Sequence, residues 1–407
     1  VIRRNVQVLA LIGSGHAVSH FYLLALPPLF PILREQLDVG YAALGLLVTL
    51  FNLSTGATQL PAGFLVDRFG ARRLLLLGLA IMGTAMTAMG FAPGYWPMLA
   101  LVALAGVGNS VFHPADYAIL SASVDRSWLG RAFSIHTFTG NIGFMLAPGG
   151  MIALTALVGW RGALMVAGLI AFVVLGAMLV FGHVLRDEDR KADGGARKQA
   201  SGNGARGLLL TTPVLLLFGF YLLNAMFTSG MQSFSVTALN ALHGIDLAFA
   251  NLILSAFLVM GSAGVLLGGM VADHTNRYVI VTVGAFATVA ALILAVGLLP
   301  LPGAVILGAF VLIGLLQGSV RTSRDMLVRK VTPPGATGRV FAFVMTGLNV
   351  GGAISPVLFG VLLDHGVPQL VFVLMAVFAV AVTGIVVLVQ AAIAAQGARR
   401  SREVPAE

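Results

Sequence analysis

A near-unbroken succession of long apolar stretches leaves this chain few folds to adopt. They fall at about 6–33, 41–65, 73–92, 95–122, 130–157 and 162–183, then at about 209–236, 245–271, 277–298, 302–324, 337–362 and 367–394. A helix needs about 20 apolar residues to cross roughly 30 Å of hydrocarbon. It also satisfies its own backbone groups there, which an open strand does not. Hydrophobic residues make up 58% of the chain and charged ones 10%, against roughly 25% charged in a soluble domain. An outer-membrane barrel would show alternating segments of about ten residues, and the sequence has none. The expectation is an all-α membrane protein with twelve transmembrane helices.

The stretches fall into two groups of six. Between them lies 184–207, with the run DEDRKADGGARKQASGNG, too polar and glycine-rich to cross a bilayer. It reads as a cytoplasmic linker. The domains expected are an N-terminal six-helix bundle at 1–183, the linker at 184–207, a C-terminal six-helix bundle at 208–395 and a cytoplasmic tail at 396–407. The net charge of +9 does not point to nucleic acid, because the basic residues gather in the joints between apolar runs. With both termini in the cytoplasm, only Arg34 and Arg161 of the 24 Lys and Arg residues lie on the outer side, as the positive-inside rule demands. The apolar run after Arg3 and Arg4 reads as the first crossing. No cysteine is present, which excludes disulfide and thiolate chemistry.

The two groups repeat one another. GRAFSIHTFTGNIGFMLAP carries Gly130, Arg131, Asn141, Gly143 and Pro148, and GRVFAFVMTGLNVGGAISP carries Gly338, Arg339, Asn349, Gly351 and Pro356 at an offset of 208. Paired halves of membrane helices are the usual build of a secondary transporter, with the transport path between them. The matched prolines each remove a helical hydrogen bond and point to bending. The joint GFLVDRFGARR (Gly63, Asp67, Arg68, Arg72, Arg73) is echoed by GMVADHTNR (Gly269, Asp273, Arg277). Its glycine is expected to let a neighbouring helix approach. Its acid and arginines are expected to form a gate or packing latch, or to meet anionic headgroups.

GFLVDRFGARR resembles the second-to-third-helix signature of the major facilitator superfamily, with Gly63, Asp67, Arg68, Gly70, Arg72 and Arg73 on its glycine, acid and basic positions. TGNIGFMLAPGG, residues 139–150, is similar to the fifth-helix glycine–proline signature of drug/proton antiporters. GVGNSVFHPADYAILSASV, residues 106–124, resembles the fourth helix of fosmidomycin-resistance-type efflux proteins, as does the Ser19-His20 pair of the first. In that branch the acid usually follows the proline directly, whereas here Ala115 intervenes before Asp116. The resemblance implies the major facilitator fold, two pseudo-symmetric six-helix bundles in a bacterial inner membrane, and antiport or efflux, including of antibiotics.

Ionisable groups inside a bilayer are costly and mark pathways. His16 and His20 share a face of the first helix. His113 and Asp116 lie on the fourth, His136 on the fifth, and Arg321 and Arg324 on the tenth, at the offset of 208 from His113 and Asp116. An ion pair of Asp116 with Arg321 or Arg324 is expected, leaving His113 to take the proton. Asn52, Gln59, Tyr221, Asn224 and Gln232 complete the expected polar path. The gate set is Gly63, Asp67, Arg68, Arg72, Arg73, Arg131, Asn141, Pro148, Asp273, Arg277, Arg339, Asn349 and Pro356. The function expected is proton-coupled export of a small amphipathic or anionic compound, with no catalysis, cofactor or resident metal. The partners are the small solute, protons and lipids, and the chain is expected to work as a monomer. The rival readings are an uptake permease for an organic acid and a divalent-metal transporter using His16, His20, His113 and Asp116.

Overall fold

The computed structural model describes residues 2–186, 209–274, 278–332 and 337–403. All regular structure among them is helical. Most of the linker, the end of the tail and Arg277 lie outside the described residues, as do the side chains of Asp273 and Arg339. The helices are α1 (Ile2–Leu23), α2 (Phe30–Leu37), α3 (Tyr41–Phe69), α4 (Ala71–Phe91), α5 (Tyr95–Asn109), α6 (Phe112–Ser123) and α7 (Leu129–Phe181). They continue with α8 (Thr212–His243), α9 (Leu247–His274), α10 (Tyr278–Leu298), α11 (Gly303–Val331), α12 (Thr337–Asp364) and α13 (Gln369–Glu403). Eleven apolar helical segments among the described residues are long enough to cross a membrane. Their outward faces are apolar: Leu157 is 80% exposed and Trp96 74%. Such side chains face lipid, and the protein is a multi-pass, all-helical membrane protein.

Two expected helices are interrupted, each for a local reason, and one expected joint lies within a continuous helical run. The first breaks after Leu23, where Pro27 and Pro28 open a 3-10 turn and Pro31 sits in the first turn of α2. Proline fits these positions because the first N–H groups of a helix have no internal partner. The fourth is split into α5 and α6 around Ser110 and Val111. Pro114 lacks the N–H that would have bonded the Ser110 carbonyl. The long α7 holds Gly159 at φ 71° and ψ 165°. Helical geometry is lost at that residue, and glycine adopts this backbone without a Cβ penalty. An unbroken helix of that length would reach roughly 80 Å, more than twice the hydrocarbon thickness. The break falls in the gap between the expected fifth and sixth crossings.

Two compact units result. The first comprises 1–197 with 246–255 and 356–364, the second 198–245 with 256–355 and 365–407. In the first, α1 and α4 pack on α7, and α3 and α4 on α5. Arg161 follows the Gly159 break. It donates from Nη1 to the carbonyls of Ala92 (2.6 Å) and Gly90 (3.3 Å), so it closes the C-terminal end of α4. The Asp364 carboxylate accepts from the backbone N–H of Tyr41 (2.6 Å) and of Ala42 (2.9 Å). It thereby caps the start of α3 from a distant stretch of chain. In the second unit, α10 and α8 pack on α13 and α11 on α10.

The repeated glycines have matching structural tasks. A Cβ on Gly143 would collide with the Ala17 carbonyl of α1, and one on Gly351 with the Leu222 carbonyl of α8. Pro148 and Pro356 are both buried within helices. Asn141 is half-buried whereas Asn349 is exposed, so that pair does not share one environment. Gly63 departs from expectation. A Cβ there meets nothing within 4 Å among the described residues, so close helix approach is not what this glycine provides.

A buried histidine–aspartate cluster in the first unit

The site begins with the seam between α1 and α7. Gly140 and Gly143 present bare backbone, and α1 settles into it with His16 and His20 one turn apart. A Cβ on Gly140 would stand 2.8 Å from His16 Cδ2 and 2.9 Å from His20 Cε1. The two imidazoles therefore occupy the space that a side chain would fill. One turn earlier on α7, His136 stacks on His16 with ring centroids 3.7 Å apart and planes at 25°. The backbone carbonyls of His16 and His136 accept bonds from Ser19 and Thr139, both at 2.8 Å.

Asp116 enters from α6 with no exposed surface. His136 Nε2 hydrogen-bonds its Oδ2 at 2.9 Å, and His16 Nδ1 lies 3.3 Å from the same oxygen. His20 stands 4.3 Å from His16, centroid to centroid, and 4.4 Å from the Phe144 ring. His113 is exposed and borders the cluster, 5.4 Å from His16 and 6.2 Å from His20. Four imidazoles and one carboxylate thus meet within a single unit, brought from α1, α6 and α7. A buried carboxylate is tolerated only with partners, and two histidines supply them.

Within the first unit Asp116 takes His16 and His136 as partners. His136 is the histidine that bonds the carboxylate, and His113 lies at the edge. In the second unit Arg324 is met by its neighbour Asp325, Nε to Oδ1 at 3.0 Å. Its guanidinium sits 4.3 Å from the centroid of the Tyr221 ring, and Tyr221 donates to the same Asp325 oxygen at 2.8 Å. Arg321 is exposed. Asp325 was missed as a site residue. The signal was its place directly after Arg324, where opposite charges on adjacent residues can meet at a helix surface.

The remaining candidates are dispersed. Asn52 and Gln59 on α3 are half-buried, as are Asn224 and Gln232 on α8. Asn224 Oδ1 is buried without a hydrogen-bond partner among the described residues. At the α3–α4 joint Asp67, Arg68 and Arg73 are exposed and Arg72 is half-buried. Arg72 lies against Gly182, where a Cβ would come within 3.2 Å of its guanidinium. Arg131 lies 5.3 Å from the Trp128 ring centroid.

Comparison with known proteins agrees with this build. The chain is 26% identical over 371 residues to the uncharacterized MFS-type transporter YfnC of Bacillus subtilis (strain 168), covering 88% of this chain and 86% of that one. It is 26% identical over 385 residues to the fosmidomycin resistance protein of Escherichia coli (strain K12), covering 91% and 89%. Its fold matches the crystal structure of the nucleoside transporter NupG with a TM-score of 0.77 at 14% identity, over 95% of this chain and 98% of the other. The family model of the Major Facilitator Superfamily matches residues 12–239 and 225–406. The chain therefore belongs to the Major Facilitator Superfamily, and it is a multi-pass secondary transporter of the bacterial inner membrane that moves a small solute, and not an enzyme.

Proposed function

We propose that the protein is a proton-coupled exporter of a small amphipathic or anionic compound, working by alternating access. The observation that carries this reading is the Asp116 carboxylate, fully buried and bonded to His136 with His16 at 3.3 Å. A buried carboxylate flanked by two imidazoles is the kind of intramembrane ionisable group that marks an ion pathway. A change of charge at this buried carboxylate gives the driving ion a handle on the cycle. The likeness to the fosmidomycin resistance protein supports export and an antimicrobial among the solutes. Arg321 and Arg324 on α11 favour an anionic group on the solute. Arg324 is held by Asp325 and Tyr221, and Arg321 lies one turn away on the same helix.

The finer architecture belongs to the same proposal. Gly159 divides α7 into two crossings, which raises the count to twelve. The bundles are 1–183 and 208–395, joined by a cytoplasmic linker, with both termini in the cytoplasm and one chain as the working unit. The α3–α4 joint (Asp67, Arg68, Arg72, Arg73), together with Arg131, Pro148, Asp273, Arg277, Arg339 and Pro356, serves conformational change.

The test is a solute panel in proteoliposomes with an imposed pH gradient, comparing the wild type with Asp116→Asn. Expected is gradient-driven movement of at least one anionic or amphipathic solute by the wild type. Asp116→Asn keeps solute–solute exchange but no longer responds to the gradient. An Asp116→Asn protein that follows the gradient as well as the wild type sinks the coupling role. The direction of accumulation separates export from uptake.

A further inference from the structure

We infer that the buried cluster also binds one divalent transition-metal cation, through His16, Asp116 and His136, and that the bound ion blocks transport. The blocking clause rests on the alternating-access reading, whereas the binding stands on the cluster's geometry alone. One ligand atom from each of the three residues lies within 4.8 Å of the others, and all three residues are buried. His16 Nδ1 and His136 Nε2 lie 3.3 Å and 2.9 Å from Asp116 Oδ2. Tetrahedral coordination with metal–ligand bonds of about 2.0–2.2 Å sets ligand atoms roughly 3.3 Å apart. His16 and His136 are stacked, with centroids 3.7 Å apart and planes at 25°, so the two rings must swing apart to aim their in-plane lone pairs at one ion.

A network built only for packing would leave its buried polar atoms bonded. Here His20 Nδ1 and Asp116 Oδ1 are buried and lack a hydrogen-bond partner among the described residues, and His16 Nδ1 has only its 3.3 Å approach to Asp116 Oδ2. These are lone-pair carriers of the kind a cation uses. His20, with its ring 4.3 Å from that of His16, offers a fourth nitrogen. His113 is exposed beside them and gives an incoming ion a first foothold. Imidazole with one carboxylate suits zinc and its neighbours in the first transition row. Magnesium and calcium require shells of oxygen, which the cluster does not offer. An ion seated here takes ligands from α1, α6 and α7 at once and so ties the three helices together.

The test uses the full chain purified in detergent and titrated calorimetrically with zinc chloride, without solute or gradient. Expected is one site per chain. Affinity falls about tenfold or more in His16→Gln and in Asp116→Asn, with helicity checked by circular dichroism. His183→Ala, which alters an exposed histidine, keeps the site. Absence of zinc binding by the folded wild type, or equal binding by the folded variants, overturns the assignment. A second measurement does not depend on variants. Zinc is expected to protect His16 and His136 of the wild type from diethylpyrocarbonate, read by peptide mass, and lack of protection overturns the ligand set. In proteoliposomes zinc is expected to slow gradient-driven transport in the wild type, and binding without slowing overturns the blocking clause.

Discussion

Replacing Gly140 with alanine tests the site where its packing is tightest. The new Cβ would sit 2.8 Å from His16 Cδ2, 2.8 Å from His16 Nε2 and 2.9 Å from His20 Cε1. Carbon atoms rest at about 3.5–4.0 Å, so both rings must retreat by roughly 0.7 Å or α1 must lift from α7. His16 is already 3.3 Å from Asp116 and stacked at 3.7 Å on His136, so a retreat of that size disturbs both contacts. Overpacking of this kind costs about 1–3 kcal/mol. The proper control is Gly176→Ala on the same helix, where a Cβ meets nothing within 4 Å. That change should be neutral or stabilise by about 0.5–1 kcal/mol, because alanine favours a helix over glycine. Thermal melting in detergent should therefore place Gly140→Ala clearly below Gly176→Ala. Gradient-driven transport in proteoliposomes should fall sharply in the first and hold in the second. If the two variants melt and transport alike, the imidazoles are not wedged against α7 and the account of the seam is wrong.

Three further changes probe other parts of the molecule. His136→Gln keeps a polar side chain beside Asp116 but removes the titratable ring, so gradient-driven transport should be lost while solute exchange survives. Loss of both activities in a protein of normal melting temperature would mean that His136 serves solute binding. Asp364→Ala strips two backbone N–H groups of α3 of their acceptor, worth about 0.5–2 kcal/mol as a helix cap. It should lower the melting temperature, Asp364→Asn should lower it less, and equal melting of all three proteins would refute the capping role. Asp325→Asn removes the charge that fixes Arg324 against Tyr221. The KM for an anionic solute should change with little effect on the response to the gradient, and an unchanged KM would place Arg324 outside the solute path.

The sequence carries the helices and the scaffold of the seam more clearly than the chemistry of the site. Length and hydropathy place nearly every crossing, because each segment must satisfy the bilayer by itself. The repeat marks Gly143 and Gly351, and both prove to be points where a neighbouring backbone leaves no room for a side chain. The i, i+4 spacing of His16 and His20 places them together, and the structure sets their rings 4.3 Å apart, centroid to centroid, tilted by 51°. The break at Ser110 was harder to read, because the apolar pattern runs on through a local change of backbone, whereas the break at Gly159 falls in the expected joint.

The partner of Asp116 was not legible, and the reason is instructive. The repeat aligns Asp116 with Arg324, so opposite charges at related positions invite a pairing that the register alone cannot test. What decides the partner is which helices touch, and that is set by small residues some distance along the chain. Gly140 and Gly143 draw α1 onto α7, which brings His16 beside His136, and α6 then delivers the carboxylate to both. Arg324 meanwhile has an acid next to it at Asp325, within reach at no cost in chain closure. Each charge therefore takes the partner that its local packing presents. The Gly140→Ala and Asp325→Asn variants together test this: the first should disturb Asp116 without touching Arg324, and the second the reverse. A proton-driven phenotype in Asp325→Asn as severe as that of Gly140→Ala would show that the two charge clusters act as one.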